Sequence, residues 1–169
     1  GLFVASLRRG RPNSASSLGT AAGATPPGAS PGGDGAPESG SPTNAEVGAR
    51  GEELVVEWLR STRPRVVVKN VANQKVGWDV QYRGEGGDLV RIEVKATRAV
   101  RASAINLTAN ELRAAREHQD RYWLYIVCDA WGQRPQLERI SNVAARIDAG
   151  RISATPTVFR LTIPANSSA

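Results

Sequence analysis

The chain has 169 residues, a net charge of +6 from 22 Lys and Arg against 16 Asp and Glu, one histidine, one cysteine and no methionine. That length allows one ordinary domain; a lone cysteine forms neither an intrachain disulfide nor a zinc cluster, and a lone histidine without a G-x-x-x-x-G-K-[ST] loop argues against a histidine-centred hydrolase or an NTPase. No apolar run approaches the roughly 20 residues of a membrane span, Leu2-Phe3-Val4-Ala5 is too short for a signal-peptide core and precedes rather than follows Arg8, Arg9 and Arg11, and Ala5 stands where N-myristoylation needs Ser or Thr, so a soluble, intracellular, cytoplasmic protein with no membrane partner is expected.

Residues 11 to 45 are almost entirely Gly, Pro, Ser, Ala and Thr, broken only by Arg11, Asn13, Leu18, Asp34, Glu38 and Asn44. Such a stretch buries too little apolar surface to offset its chain entropy. Residues 1–45 are therefore expected to be a disordered linker, and 46–169 one folded domain. A linker at the front of a chain without methionine points to the C-terminal module of a larger protein, whose other domains are expected partners.

From Gly48 to Leu59 the apolar positions 54, 55, 58 and 59 follow helical spacing, with glycines at the entrance and Glu52 and Glu53 in the expected first turn, where the helix dipole favours them. The segments around Gly77-Trp78-Asp79-Val80 and Arg91-Ile92-Glu93-Val94-Lys95-Ala96-Thr97 alternate apolar and polar residues and read as adjacent strands. Trp78, Val80 and Tyr82 are expected on one face with Val90, Ile92 and Val94. The other face then carries Asp79, Gln81, Arg91, Glu93 and Lys95. Thr108 and Glu111 form a capping box for a helix running to about His118. Tyr122 to Asp129 is a continuous apolar run with the bias of a buried central strand, which makes Cys128 core packing. Leu137 to Ile140 and Thr157 to Ile163 read as further strands around a short helix near Asn142 to Ala149, closed by Gly150. The order predicts an α/β domain, a mixed sheet flanked by helices.

If the two central segments pair as a hairpin, Asp79 faces Arg91 or Glu93 but not Ile92, because opposite residues share a face. The Glu93 register leaves a five-residue loop, Gly84 to Asp88, and brings two carboxylates roughly 5 Å apart at their Cβ atoms. Two hard oxygen donors at that separation suit Mg²⁺ or Mn²⁺. Lys95, on the same face, is placed to orient or deprotonate an attacking water and to balance charge on a phosphodiester. A Glu and a Lys two apart on a strand are also commonly a solvated edge, and D-x(n)-E-x-K recurs by chance.

Gly48-x-x-Gly51-Glu52-Glu53, Val76-Gly77-Trp78-Asp79-Val80, Ile92-Glu93-Val94-Lys95-Ala96-Thr97, Ile105-Asn106-Leu107-Thr108-x-Asn110-Glu111 and Tyr122-Trp123-Leu124-Tyr125-Ile126-Val127 together resemble the PD-(D/E)XK, restriction-endonuclease-like nucleases, and within them the NO VEIN C-terminal-like domain family. The resemblance covers about residues 46 to 165, and Trp78 replaces the proline that names the superfamily. It implies a restriction-endonuclease-like fold with catalytic residues Asp79, Glu93, Lys95 and Glu52, and a Mg²⁺ or Mn²⁺ ion held by Asp79, Glu93, Val94 and Glu52. Glu111 is first a helix cap and second a candidate for positioning substrate. Arg91, Arg98, Arg101 and Arg113 are candidates for a nucleic-acid-binding surface, because basic groups around a carboxylate cluster offset its repulsion of a phosphate backbone; solvated charge on an Arg-rich protein accounts for any one of them equally well. The expected function is hydrolysis of phosphodiesters in DNA. The alternative is a catalytically silent nuclease-like module that binds nucleic acid or a protein partner.

Overall fold

Thr43 opens the main folded region: its hydroxyl accepts from the Glu46 amide at 3.3 Å while the Glu46 carboxylate accepts from the Thr43 amide at 2.7 Å. This reciprocal cap starts helix α1 (Asn44–Thr62), ahead of the Gly48 start that the apolar pattern suggests and inside the stretch that composition assigned to the linker. The first-turn carboxylate is thus Glu46. Glu52 and Glu53 lie farther along the helix, and the dipole no longer accounts for them. In the computed structural model, residues 3–6 and 41–156 are described.

Val47, Leu54, Val55 and Leu59 form the buried stripe of α1. Each fully buried side chain of this kind contributes on the order of 2 kcal/mol. Gly51 belongs to the same stripe because a Cβ there would collide with Cβ of Ala96; the bare backbone lets the helix lie close on the sheet.

Among the described residues that sheet has six strands in the order β1 (Phe3–Ser6), β6 (Gln136–Ser141), β5 (Tyr122–Cys128), β4 (Leu89–Ala96), β3 (Val80–Arg83), β2 (Val68–Asn70). Only β4 and β5 run parallel, joined by a crossover that carries helix α2 (Ala109–His118). Alternation along these two strands sends Ile92, Val94, Tyr125 and Val127 toward α1 and Tyr122, Leu124, Ile126 and Cys128 toward α2 and helix α3 (Val143–Asp148). With helices on both faces, β5 is apolar throughout, as the run at 122–128 predicted, whereas β4 carries Arg91, Glu93 and Lys95 on the α2 side. The mixed sheet flanked by helices is the expected α/β class.

The β3–β4 hairpin has the predicted register and loop. Val80 pairs with Ile92 and Gln81 with Arg91, leaving Gly84 to Asp88 as the connection; the ladder ends at Val80, and Asp79, next along, meets Glu93 and the Val94 amide through its side chain. Two expectations differ. Trp78 does not share the face of Val80 and Tyr82; β3 begins only at Val80, so strand alternation does not govern Trp78, which packs instead on the α2 side. Phe3–Ser6, within the expected linker, pairs antiparallel with β6, where it covers backbone groups that would otherwise form an open sheet edge. The expected strand at 157–163 and the rest of the expected linker, residues 7–40, lie outside the described residues. Among the described residues no helix is long and apolar enough to cross a membrane.

Candidate metal centre

A short turn delivers Asp79. After a single 3₁₀ turn at Ala72–Gln74 the backbone takes positive φ at Lys75 (53°) and at Gly77 (99°). Asn110 Nδ2 donates to the Lys75 carbonyl at 3.0 Å, and the buried Tyr122 hydroxyl donates to the Gly77 carbonyl at 2.9 Å. A side chain at Gly77 would stand 2.9 Å from Ala114 Cβ, so only glycine allows the turn to lie against α2. Asp79 then joins the sheet through its backbone, its amide donating to the Ile92 carbonyl at 3.0 Å and its carbonyl accepting from Val71 at 2.7 Å.

The Asp79 carboxylate takes over where the ladder stops. Its Oδ2 accepts from the Val94 amide at 2.9 Å, so Val94 fixes Asp79 through its main chain. Glu93, 2% exposed, is the one buried charged residue among those described. Burial first, and then the charge of Asp79, push its pKa up to about 8. Burial also raises Asp79, against the Val94 hydrogen bond. Glu93 hydrogen-bonds the Asp79 carboxylate, and the Asp79 charge opposes ionisation of Glu93, as expected of two carboxyl groups confined side by side.

Lys95 bridges two acids: its Nζ lies 2.6 Å from Glu93 Oε1 and 2.9 Å from Glu111 Oε2. Burial works against the ammonium, but the hydrogen bonds to Glu93 and Glu111 outweigh it and its pKa is raised. Lys95 is therefore a fixed cation. Glu111 keeps its predicted place in the cap of α2, accepting from the Thr108 amide at 2.9 Å.

Glu52 comes from the opposite layer. Its Oε2 accepts from Asn70 Nδ2 at 2.7 Å, and its pKa is raised by burial first and by the charge of Asp79 as well, so it stands within electrostatic reach of the pair. It does not complete a cluster: among the described residues no three Asp, Glu, His or Cys side chains are grouped to hold a metal ion. Asp79 and Glu93 make a two-carboxylate site. That donor set fits Mg²⁺ or Mn²⁺, which commonly take one or two carboxylates and complete their shell with water and phosphate oxygens.

The four candidate arginines separate. Arg98 and Arg101 are exposed in the loop that follows β4, just beyond Lys95. Arg113 is exposed on α2 and donates to Asn110 Oδ1 at 2.6 Å. Arg91 is no free surface charge: its guanidinium lies 5.0 Å from the Trp78 ring centroid and donates to the Leu89 carbonyl at 3.0 Å. His118 stacks edge-on against the same Trp78 ring at 5.4 Å and takes no part in the carboxylate site.

Tyr122 and Asn110 are the site residues that sequence reasoning left unassigned. The buried tyrosine reads as one more apolar position in a central strand, and nothing local shows that its hydroxyl anchors a turn 45 residues earlier.

No curated protein and no solved structure matches the chain. A protein-family model described as Protein NO VEIN, C-terminal, matches residues 51–140. That span is more than half of the 169 residues. It holds every residue of the site, from Glu52 on α1 through Asp79, Glu93, Lys95 and Glu111 to Tyr122. The chain belongs to the NO VEIN C-terminal domain family.

Proposed function

We propose that this domain is a divalent-metal-dependent nuclease that hydrolyses phosphodiester bonds, with DNA as its substrate, in the PD-(D/E)XK manner. The observation that carries the reading is the side-chain contact of Asp79 with the buried Glu93 beside Lys95. Burying two adjacent carboxyl groups and a lysine is unfavourable for folding alone, whereas the same trio provides oxygen ligands and a positive charge where a phosphoryl group would react. Asp79 and Glu93 would hold Mg²⁺ or Mn²⁺, with Glu52 adding negative potential from α1. The bound cation would act as a Lewis acid toward the phosphate and the attacking water. Lys95, kept protonated by its two acid partners, stabilises negative charge as it builds on the phosphoryl oxygens and does not serve as the base. Arg98, Arg101 and Arg113 would meet the backbone phosphates.

The test is incubation with plasmid, linear and single-stranded DNA in Mg²⁺, Mn²⁺ or EDTA. Metal-dependent cleavage by the wild type that is lost in Asp79→Ala supports the reading; no cleavage of any substrate under conditions where DNA is bound overturns it. One observation favours the second reading, a silent module that binds nucleic acid or a partner: Glu52 is engaged with Asn70, and among the described residues no third carboxylate joins the pair. That reading expects salt-sensitive DNA binding, spread over Arg98, Arg101 and Arg113, with no dependence on metal.

A further inference from the structure

We infer that Glu111 is a positioning residue for Lys95: its carboxylate anchors the ammonium to the first turn of α2 and so fixes where the cation stands relative to Asp79 and Glu93. The inference rests on the nuclease reading of the same site.

A capping-box glutamate has a complete role without further partners, because it needs only to reach back to the amide of its own cap residue, and glutamine does this as well. Glu111 does more. The same Oε2 accepts from the Thr108 amide and from Lys95 Nζ, both at 2.9 Å. One carboxylate oxygen therefore ties a helix start to a side chain of the central strand. The anchor is itself held: next to Glu111, Asn110 donates to the Lys75 carbonyl, and Gly77 packs on Ala114, so the start of α2 is fixed to the turn that delivers Asp79.

Glu93 alone is a poor anchor for Lys95. A cation held by Asp79 and Glu93 would compete with the ammonium for the Glu93 carboxylate, whose Oε1 lies 2.6 Å from Lys95 Nζ. Glu111, tied to the cap of α2, would then be the acceptor that keeps Lys95 in place, without touching the reacting atoms.

The chain has three lysines, Lys69, Lys75 and Lys95, so a short pulse of an amine-acetylating reagent, read lysine by lysine by mass spectrometry, reports how firmly the Lys95 ammonium is held, through both its exposure and its free-amine fraction. In Glu111→Gln, which preserves the cap, Lys95 should acetylate several-fold faster relative to Lys69 and Lys75, and Mn²⁺-dependent cleavage should fall about tenfold or more in kcat with KM for DNA unchanged, the signature of an interaction made in the transition state. Thr108→Ala, which weakens the helix start but leaves the carboxylate, should lower Tm without changing either readout. Unchanged Lys95 labelling in Glu111→Gln overturns the inference, as does faster labelling with cleavage unaffected in an active protein. If Glu111→Gln does not fold, Lys95 labelling in Glu111→Asp, whose carboxylate is withdrawn by one methylene, decides in the same way. If the wild type cuts no DNA, the nuclease reading fails and the labelling result alone decides the anchoring.

Discussion

Glu93 titrates out of its normal range because burial and the neighbouring Asp79 both oppose its ionisation. Its folded pKa of about 8 lies above the ordinary glutamate value of 4.5, so its contribution to stability is fully present below the lower value and is lost as pH rises through the upper one. In EDTA the Tm should fall across that window, and Glu93→Gln should flatten the profile; a wild-type Tm that rises over the same range would contradict the buried, proton-sharing pair. Metal changes the balance. Mn²⁺ selective for the folded site should raise Tm by mass action, and Asp79→Asn should abolish that shift while leaving the metal-free protein as stable as wild type or slightly more so, because a partly buried carboxylate charge beside Glu93 is gone. A shift of the same size in Asp79→Asn, seen by differential scanning fluorimetry, would remove Asp79 from the metal site. Lys95→Ala should lower the cleavage rate by roughly 100-fold or more while weakening DNA binding only a little. Equal cutting by wild type and Lys95→Ala in Mg²⁺ or Mn²⁺ would dismiss the assigned role.

Helix α1 depends on a near contact that no pattern of apolar residues announces. Gly51 faces Ala96 with no room for a Cβ, so Gly51→Ala should force the helix off the sheet and destabilise the domain by about 1–3 kcal/mol despite alanine's better helix propensity. Urea unfolding measures this directly, and an unchanged or raised midpoint would show that α1 lifts freely. The elements themselves were largely legible. Strict alternation at 90–96, the continuous apolar run at 122–128 and the Thr108 capping box each carry a period or a cap that belongs to one kind of structure. Element ends were less so. The start of α1 rests on Thr43 and Glu46, which sit in a stretch whose composition reads as linker, and Trp78 looks like part of the alternation although β3 begins two residues later.

For the whole molecule, Phe3–Ser6 are the clearest test of how far composition can define a domain. Among the described residues β1 lies at the edge of the sheet and pairs with β6 alone, so removing residues 1–40 should lower Tm by only a few degrees, the scale expected for about 1 kcal/mol in a domain of this size; failure of the shortened chain to fold would make that strand part of the core. The sequence by itself determined the α/β class, the hairpin register that sets Asp79 against Glu93, and the presence of Lys95 on the same face, because period-2 alternation and turn length are local properties that allow few solutions. Tertiary structure alone decided that Glu111 meets Lys95, that Tyr122 and Asn110 anchor the Asp79 turn, that Arg91 is committed to Trp78, and that Glu52 turns to Asn70. Each of these joins residues on different elements. Whether two such side chains meet depends on how helices dock on the sheet, and that docking is fixed by close contacts such as Gly51 on Ala96 and Gly77 on Ala114, which leave no periodic trace in the chain.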